Sequence, residues 1–327
     1  MPSLQSRLFL FMLRHSHLLR FRLKRRDSFD WDTPIADFRA QVGKTSTLFG
    51  KLPAQLEIAP VTIGDSELYA EWIRPVQAAH DSVILYFHGG GYVSGTCEAH
   101  RTHVAKVVQE SGVGALLFAY RLAPENPFPA ALEDAMTAYR WLLRQGIVAE
   151  RIAFMGDSAG GGLCLATLLA LKDEGVELPA AAVVLSPWTD LKCTGASYQT
   201  NLAVEALTPA QSWTVFSHYY VQDNDPGNPF ISPLYGQLAG LPPLLVYVGE
   251  HEVLYDDSAK FAEKARDAGV DVTLRVGEGL FHCYPICAPL FPEATQAMTE
   301  LCAFIRGHVD AARPVESVFA GDGQYVL

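Results

Sequence analysis

The residues of this chain best suited to chemistry lie in two short runs. The first is Gly156-Asp157-Ser158-Ala159-Gly160-Gly161, a G-x-S-x-G pattern. It follows the apolar run Arg151–Met155, which reads as a buried strand, and precedes the Ala/Leu-rich stretch Ala159–Lys172, which reads as a helix. A serine at such a strand-to-helix turn has small neighbours and an exposed hydroxyl, and the helix N-terminus directs free N–H groups toward it. The second run is His88-Gly89-Gly90-Gly91-Tyr92, directly behind the apolar run Val83–Phe87. A glycine-rich loop there can aim backbone N–H groups at a developing oxyanion. Together the runs imply acyl transfer: Ser158 attacks a carbonyl, and the negative oxygen that forms has donors waiting for it.

A serine hydroxyl needs a base, and the base needs an orienting acid. Where a G-x-S-x-G elbow carries the serine, the order is Ser, then Asp or Glu, then His. Four histidines follow Ser158: His218, His251, His282 and His308. His282 lies in the glycine-rich stretch Gly277–Pro285 straight after the last expected strand, where a side chain can hang over the strand ends. His218 and His308 fall on helices, and His251 points to no base position. The acid should follow the strand Leu244–Gly249, where Glu250, Glu252, Asp256 and Asp257 compete. Glu252 stands three residues past the strand end and is favoured. Asp256 is the alternative, because Asp256 and Asp257 more naturally cap the N–H groups of the next helix. Tyr92, Trp213 and Phe216 are candidates to line the substrate pocket.

These side chains need a scaffold. Leu56–Thr62 and Leu68–Ile73 flank Gly64-Asp65 and read as a hairpin. Thereafter strands at Val83–Phe87, Gly114–Tyr120, Arg151–Met155, Ala181–Ser186, Leu244–Gly249 and Val272–Val276 alternate with helices at 100–110, 130–144, 159–172, 209–221, 257–268 and 293–306. That rhythm predicts an α/β fold with a mostly parallel sheet covered on both faces. Thr189–Leu238 interrupts it. The stretch is too long for an ordinary loop and reads as an inserted cap. The expected organisation is a helical cap segment over 1–50, a catalytic body over 51–188 and 239–312, the inserted cap segment over 189–238, and a tail over 313–327.

The chain has 327 residues, 49% of them hydrophobic, which is ample for one large core. Its formal net charge of −11 argues against nucleic acid as a partner. The six cysteines are scattered without a C-x-x-C pair or a zinc-like spacing. They read as reduced thiols of a cytoplasmic protein. Near the N-terminus, Leu4, Leu8, Phe11, Met12, Leu18 and Leu19 approximate helical spacing among seven Lys and Arg residues between Arg7 and Arg26. The apolar run is too short for a signal peptide or a membrane span. The favoured reading is an amphipathic helix that buries this stripe on the body. Contact with anionic lipid, or a homodimer, is the rival.

Beyond the two runs, Tyr120-Arg121-Leu122-Ala123-Pro124-Glu125, Pro127–Asp134 and Leu185-Ser186-Pro187-Trp188-Thr189-Asp190 complete a pattern that resembles the hormone-sensitive-lipase family of α/β-hydrolase esterases. The similarity runs from about His88 to His282. It implies an α/β-hydrolase fold with a cap built from the N-terminal segment and the insertion. It implies an oxyanion hole from Gly90, Gly91 and Ala159, orienting or scaffold roles for Asp157 and Glu125, and no metal or organic cofactor. The family acid is usually an Asp followed by Pro-Leu, whereas Glu252-Val253-Leu254 stands in that place here. The activity implied is serine carboxylesterase action on small esters with short to medium acyl chains. Lactonase, aryl-amidase or deacetylase action by the same three residues is the alternative. A ligand receptor on a dead scaffold is the second, and the intact His282 argues against it.

Overall fold

The structure is a computed structural model that describes residues 2–14, 29–45, 52–53, 55–64, 67–76, 81–208 and 210–310. Eight strands form one sheet: β1 (Leu56–Ile63), β2 (Leu68–Pro75), β3 (Val83–Phe87), β4 (Gly114–Phe118), β5 (Ile152–Asp157), β6 (Ala181–Leu185), β7 (Leu244–Gly249) and β8 (Val272–Gly277). Their order is β1-β2-β4-β3-β5-β6-β7-β8. β2 pairs antiparallel with β1 and with β4, and every other pairing is parallel. Strands β3, β5, β6 and β7 are buried along their whole length, as near-continuous apolar runs in the middle of a parallel sheet should be.

Nine α-helices lie among the described residues: α1 (Leu4–Arg14), α2 (Ile35–Thr45), α3 (Cys97–Ser111), α4 (Ala130–Arg144), α5 (Ala159–Asp173), α6 (Ser197–Thr200), α7 (Ala210–Val221), α8 (Tyr255–Asp267) and α9 (Pro292–Val309). One apolar layer joins one sheet face to α4, α5 and α8, and the other joins the opposite face to α3 and α9. Helix α5 is buried from Ala159 to Leu171 on every side. An Ala/Leu-rich helix without a polar face is expected only where neighbours surround it. The Thr96 side chain accepts the Ala99 N–H at the start of α3, and Gly112 closes that helix with φ of 71°.

The register sets the site. Asp157 pairs with Leu185, Leu185 with Tyr247, and Gly249 with Gly277. The C-terminal ends of β5 to β8 therefore form one rim, and Ser158, Ser186, Glu252 and His282 all follow it in the loops above.

Two sequence expectations need correction. Helix α1 forms, but Leu4, Leu8, Phe11 and Met12 face outward, and Leu4 is 77% exposed. The helix instead seats through Ser6, Phe9, Leu10 and Leu13, with the Phe9 ring 5.7 Å from that of Phe281 and 5.6 Å from that of Phe291. Both faces of this segment are apolar, so periodicity could not say which one packs. Leu18 and Leu19 lie outside the described residues, as do 46–51 and the tail from 311. The second correction concerns Asp256 and Asp257. They sit in the first turn of α8 without capping it. Asp256 accepts the N–H groups of Ala196 and Ser197, and Asp257 those of Thr189 and Asp190. Donors at the start of the inserted segment compete successfully for these carboxylates.

Candidate active site

Ser158 stands between β5 and α5 with φ of 55° and ψ of −124°. A non-glycine residue keeps such a conformation only where its surroundings over-determine it. Here its N–H donates to Leu185 O at 2.8 Å, and its carbonyl accepts from Trp188 N at 3.0 Å and Gly162 N at 3.1 Å. The turn also needs a close approach. A Cβ on Gly160 would lie 2.1 Å from Phe87 O and 2.3 Å from His88 O, so any side chain there would part the elbow from the neighbouring strand.

The loop after β3 is held against the elbow by Asp157, whose Oδ1 accepts Gly89 N at 3.1 Å and the Tyr86 hydroxyl at 2.8 Å. Asp157 is thus a scaffold carboxylate in this structure. Gly90 and Gly91 take φ of 124° and 64°. Among the described residues no group accepts from the N–H of Gly90, Gly91 or Ala159. These three donors, expected from the sequence, are therefore available to a ligand. His88 is buried and stacked on Tyr120 at 4.1 Å. Burial and the neighbouring His100 hold its pKa down to about 3, so it packs as a neutral ring.

Across the rim, His282 Nδ1 lies 2.5 Å from Glu252 Oε2. An ionised carboxylate only accepts, so Nδ1 carries the hydrogen and Nε2 keeps the basic lone pair. The other oxygen of Glu252 accepts from Ser186 Oγ at 2.7 Å and Gly249 N at 2.6 Å. Glu252 is wholly buried and His282 nearly so. Burial works against the imidazolium, but the Cys283 sulfur and the Glu252 carboxylate outweigh it, and the pKa of His282 is held well above its ordinary value. Leu185 O joins the two halves of the site, because it receives both Ser158 N–H and, at 3.5 Å, Cys283 Sγ. Asp256, the alternative acid, is turned away toward Ala196 and pairs with Lys260. His251 N donates to Leu280 O, His218 is exposed with Trp31 at its ring, and His308 Nδ1 is bonded to Phe304 O.

The aromatic candidates divide. Trp213 on α7 meets the His282 ring edge-on at 5.6 Å and the Trp188 ring at 5.0 Å. Phe216, one turn on, lies over the glycine loop: a Cβ on Gly91 would fall 2.7 Å from its ring. Phe29 stacks on Phe216 at 4.8 Å and Phe38 lies 5.7 Å from it, so residues 29–45 and the insertion meet above Gly91. Arg39 ties α2 down by donating to Val93 O and Ala123 O and by a bidentate pair with the exposed Glu125. Tyr92, by contrast, is core. It stacks on Tyr220 at 3.8 Å and is 1% exposed.

Sequence reasoning missed two residues here. Ser186 ends an apolar strand, but nothing next to it in the sequence points to its partners Glu252 and Cys283. Glu205 was missed altogether. It is the lone acid in Leu202–Leu207, and it is buried beside the acid loop. Among the described residues His100, His103 and Asp157 are the one group close enough together to share an ion. Tyr86 Oη sits 3.0 Å from His103 Nε2 and 2.8 Å from Asp157 Oδ1, so hydrogen bonding already links two of the three. Six free cysteines are present, and no described helix is long and apolar enough to cross a membrane.

An eight-stranded, mostly parallel sheet with a strained serine at one strand end and a His–carboxylate pair along the same rim defines an α/β-hydrolase. Residues 84–286 match the family described as alpha/beta hydrolase fold. An acetyl-hydrolase of Streptomyces hygroscopicus is 43% identical over 246 residues, covering 75% of this chain and 81% of that protein. An esterase of Acinetobacter venetianus is 36% identical over 229 residues, covering 70% and 76%. Among solved structures, an esterase of the bacterial hormone-sensitive lipase family superposes with a TM-score of 0.85 at 37% identity, covering 94% of this chain and 99% of that one. The chain belongs to the hormone-sensitive-lipase family of α/β-hydrolases and is a carboxylic ester hydrolase.

Proposed function

We propose that the protein is a serine carboxylesterase for small esters with short to medium acyl chains, working through Ser158, His282 and Glu252. The observation that carries this reading is the Glu252–His282 bond on the strand rim that also presents Ser158. In the first half-reaction Ser158 Oγ attacks the ester carbonyl while His282 Nε2 takes its proton. Glu252 holds the imidazole in the right tautomer and steadies the cation. The N–H groups of Gly90, Gly91 and Ala159 receive the tetrahedral oxyanion. His282 then returns the proton to the alkoxide, the alcohol leaves, and an acyl-enzyme remains. A water deprotonated by His282 attacks that acyl group, and Ser158 recovers its proton as the acid departs.

The substrate size is supported by two features. Trp213, Phe216, Phe29 and Phe38 crowd the space above the glycine loop. Relatives include proteins named acetyl-hydrolase and, from Pseudomonas putida, ethyl acetate hydrolase. The test is a p-nitrophenyl ester series from acetyl upward, run beside labelling with a phosphonate probe. The expected result is turnover that falls as the chain lengthens, with labelling abolished by Ser158→Ala. Labelling that survives Ser158→Ala would remove Ser158 as the nucleophile.

A further inference from the structure

Glu205 lies in the insertion between β6 and β7 and is 6% exposed. Both of its oxygens are occupied by backbone donors. Oε1 accepts from Leu207 N at 2.7 Å and Thr208 N at 3.2 Å, and Oε2 accepts from Val253 N at 3.0 Å. Val253 is the residue after Glu252. The inserted segment makes further bonds to the same loop. Asn201 Nδ2 donates to Glu250 O at 3.0 Å and Glu252 O at 2.9 Å, and Ser197 Oγ donates to Val253 O at 2.5 Å. Glu205 differs from these because it brings a charge into a buried space that already holds a carboxylate and an imidazole.

Resting on the assignment of Glu252 and His282 as acid and base, we infer that Glu205 is a positioning residue for that pair: it pins the acid loop at Val253 and adds a second negative charge that favours the imidazolium. Three N–H donors stabilise the ionised carboxylate. Burial is the largest influence and leaves the pKa of Glu205 raised, while His282 and the N–H groups of Leu207 and Val253 pull it down and Glu252 pushes it up, so the group lies in the field of both partners. Coupling between two titrating groups is reciprocal, so a carboxylate whose ionisation His282 favours must itself favour protonation of His282. The ionisable groups that act most on His282 are Cys283 from its own loop and Glu252 from the acid loop, and Glu205 on the insertion is coupled to it more weakly. The side chain packed on its ring from α7 is the uncharged Trp213. The effect belongs to the step in which the imidazole becomes charged.

The test is the acid limb of the kcat/KM pH profile in the full-length enzyme. Glu205→Gln keeps the size, removes the charge and leaves one of the two accepting oxygens. It is expected to move that limb to lower pH by a threefold or greater drop in the proton affinity of the base, and to lower kcat about tenfold with KM little changed. Glu205→Asp keeps the charge but retracts it, and should move the limb in the same direction by less. A role confined to holding the loop would lower the melting temperature and leave the limb where it is. A folded Glu205→Gln enzyme with an unmoved limb overturns the inference, and if that variant fails to fold, an unmoved limb in Glu205→Asp does so. Glu252→Gln separates the two levels of the argument. If it moves the limb and the Glu205 variants do not, only the role of Glu205 falls; if it leaves the limb unmoved, the acid assignment falls first.

Discussion

The hydroxyl of Ser186 donates to Glu252 Oε1 at 2.7 Å and accepts the N–H of Cys283 at 2.9 Å. One side chain at the end of β6 therefore binds the loop that carries Glu252 to the loop that carries His282. Its φ of 48° holds it in a conformation few serines adopt, and its N–H donates to Tyr247 O. The alignment of Glu252 with His282 is thus anchored on the sheet rather than on either loop.

Ser186→Ala should disturb both loops at once. It leaves the Cys283 N–H and one carboxylate bond unmet in a buried place, and each such loss costs about 1–3 kcal/mol. A lower melting temperature and a fall in kcat larger than any change in KM are expected. Steady-state kinetics beside thermal melts will check this. A variant with native melting and native kcat would show the bridge to be idle.

Ser158→Ala should lower kcat by roughly 10⁴-fold or more with the fold intact, since the residues of such a triad act as a unit. Circular dichroism beside ester turnover makes the measurement. Near-native turnover by the purified variant is the outcome that ends the serine mechanism.

Glu252→Gln should cost on the order of 10²–10⁴-fold in kcat, because an amide cannot steady the imidazolium as a carboxylate does. Asp256→Asn should stay within a few-fold of the parent, because Asp256 bonds to Ala196 and Lys260 and not to His282. The reverse ranking would transfer the acid to Asp256.

The pH profile carries a further sign. In the proposed mechanism the base works as a neutral imidazole, and the pKa of His282 is raised. The acid limb of kcat/KM should then lie above the pH near 6.5 where an unperturbed histidine titrates. Removing the Glu252 charge should shift that limb toward lower pH while activity falls. A limb that rises in Glu252→Gln contradicts the assigned cause.

Phe38→Ala should loosen the aromatic roof over Gly91. Phe38 lies 4.5 Å from Phe29 and 5.7 Å from Phe216, and it is only half-buried, so the stability loss should stay below the roughly 3–5 kcal/mol of a buried Phe→Ala change. The ratio of kcat/KM for hexanoyl over acetyl p-nitrophenyl esters should rise several-fold. An unchanged ratio would place the acyl chain elsewhere.

Local signals were legible where the chemistry itself is local. The strained turn at Ser158 and the glycine loop at Gly90 and Gly91 need particular residues next to one another, so the pattern survives in one dimension. The order of strands placed His282 and Glu252 on one rim, and that too could be read from alternation. Glu205 and Ser186 could not be read this way, because each acts on a loop 48 to 97 residues further along. Periodicity failed at α1 for a different reason. With apolar residues on both faces, the pattern contains no statement about which face finds a neighbour, and the choice was made by Phe281 and Phe291.

That seat has a consequence for how the protein is made. Ser3 Oγ donates to Glu293 Oε2 at 2.8 Å across a separation of 290 residues, and Ser3 N donates to the same carboxyl group. Chains emerge from the ribosome N-terminus first. Helix α1 precedes Phe281, Phe291 and Glu293 in the chain, so it cannot take this seat until they have been synthesised. When they have emerged, the helix closes over Phe281, the residue next to His282, and so covers the loop that carries it.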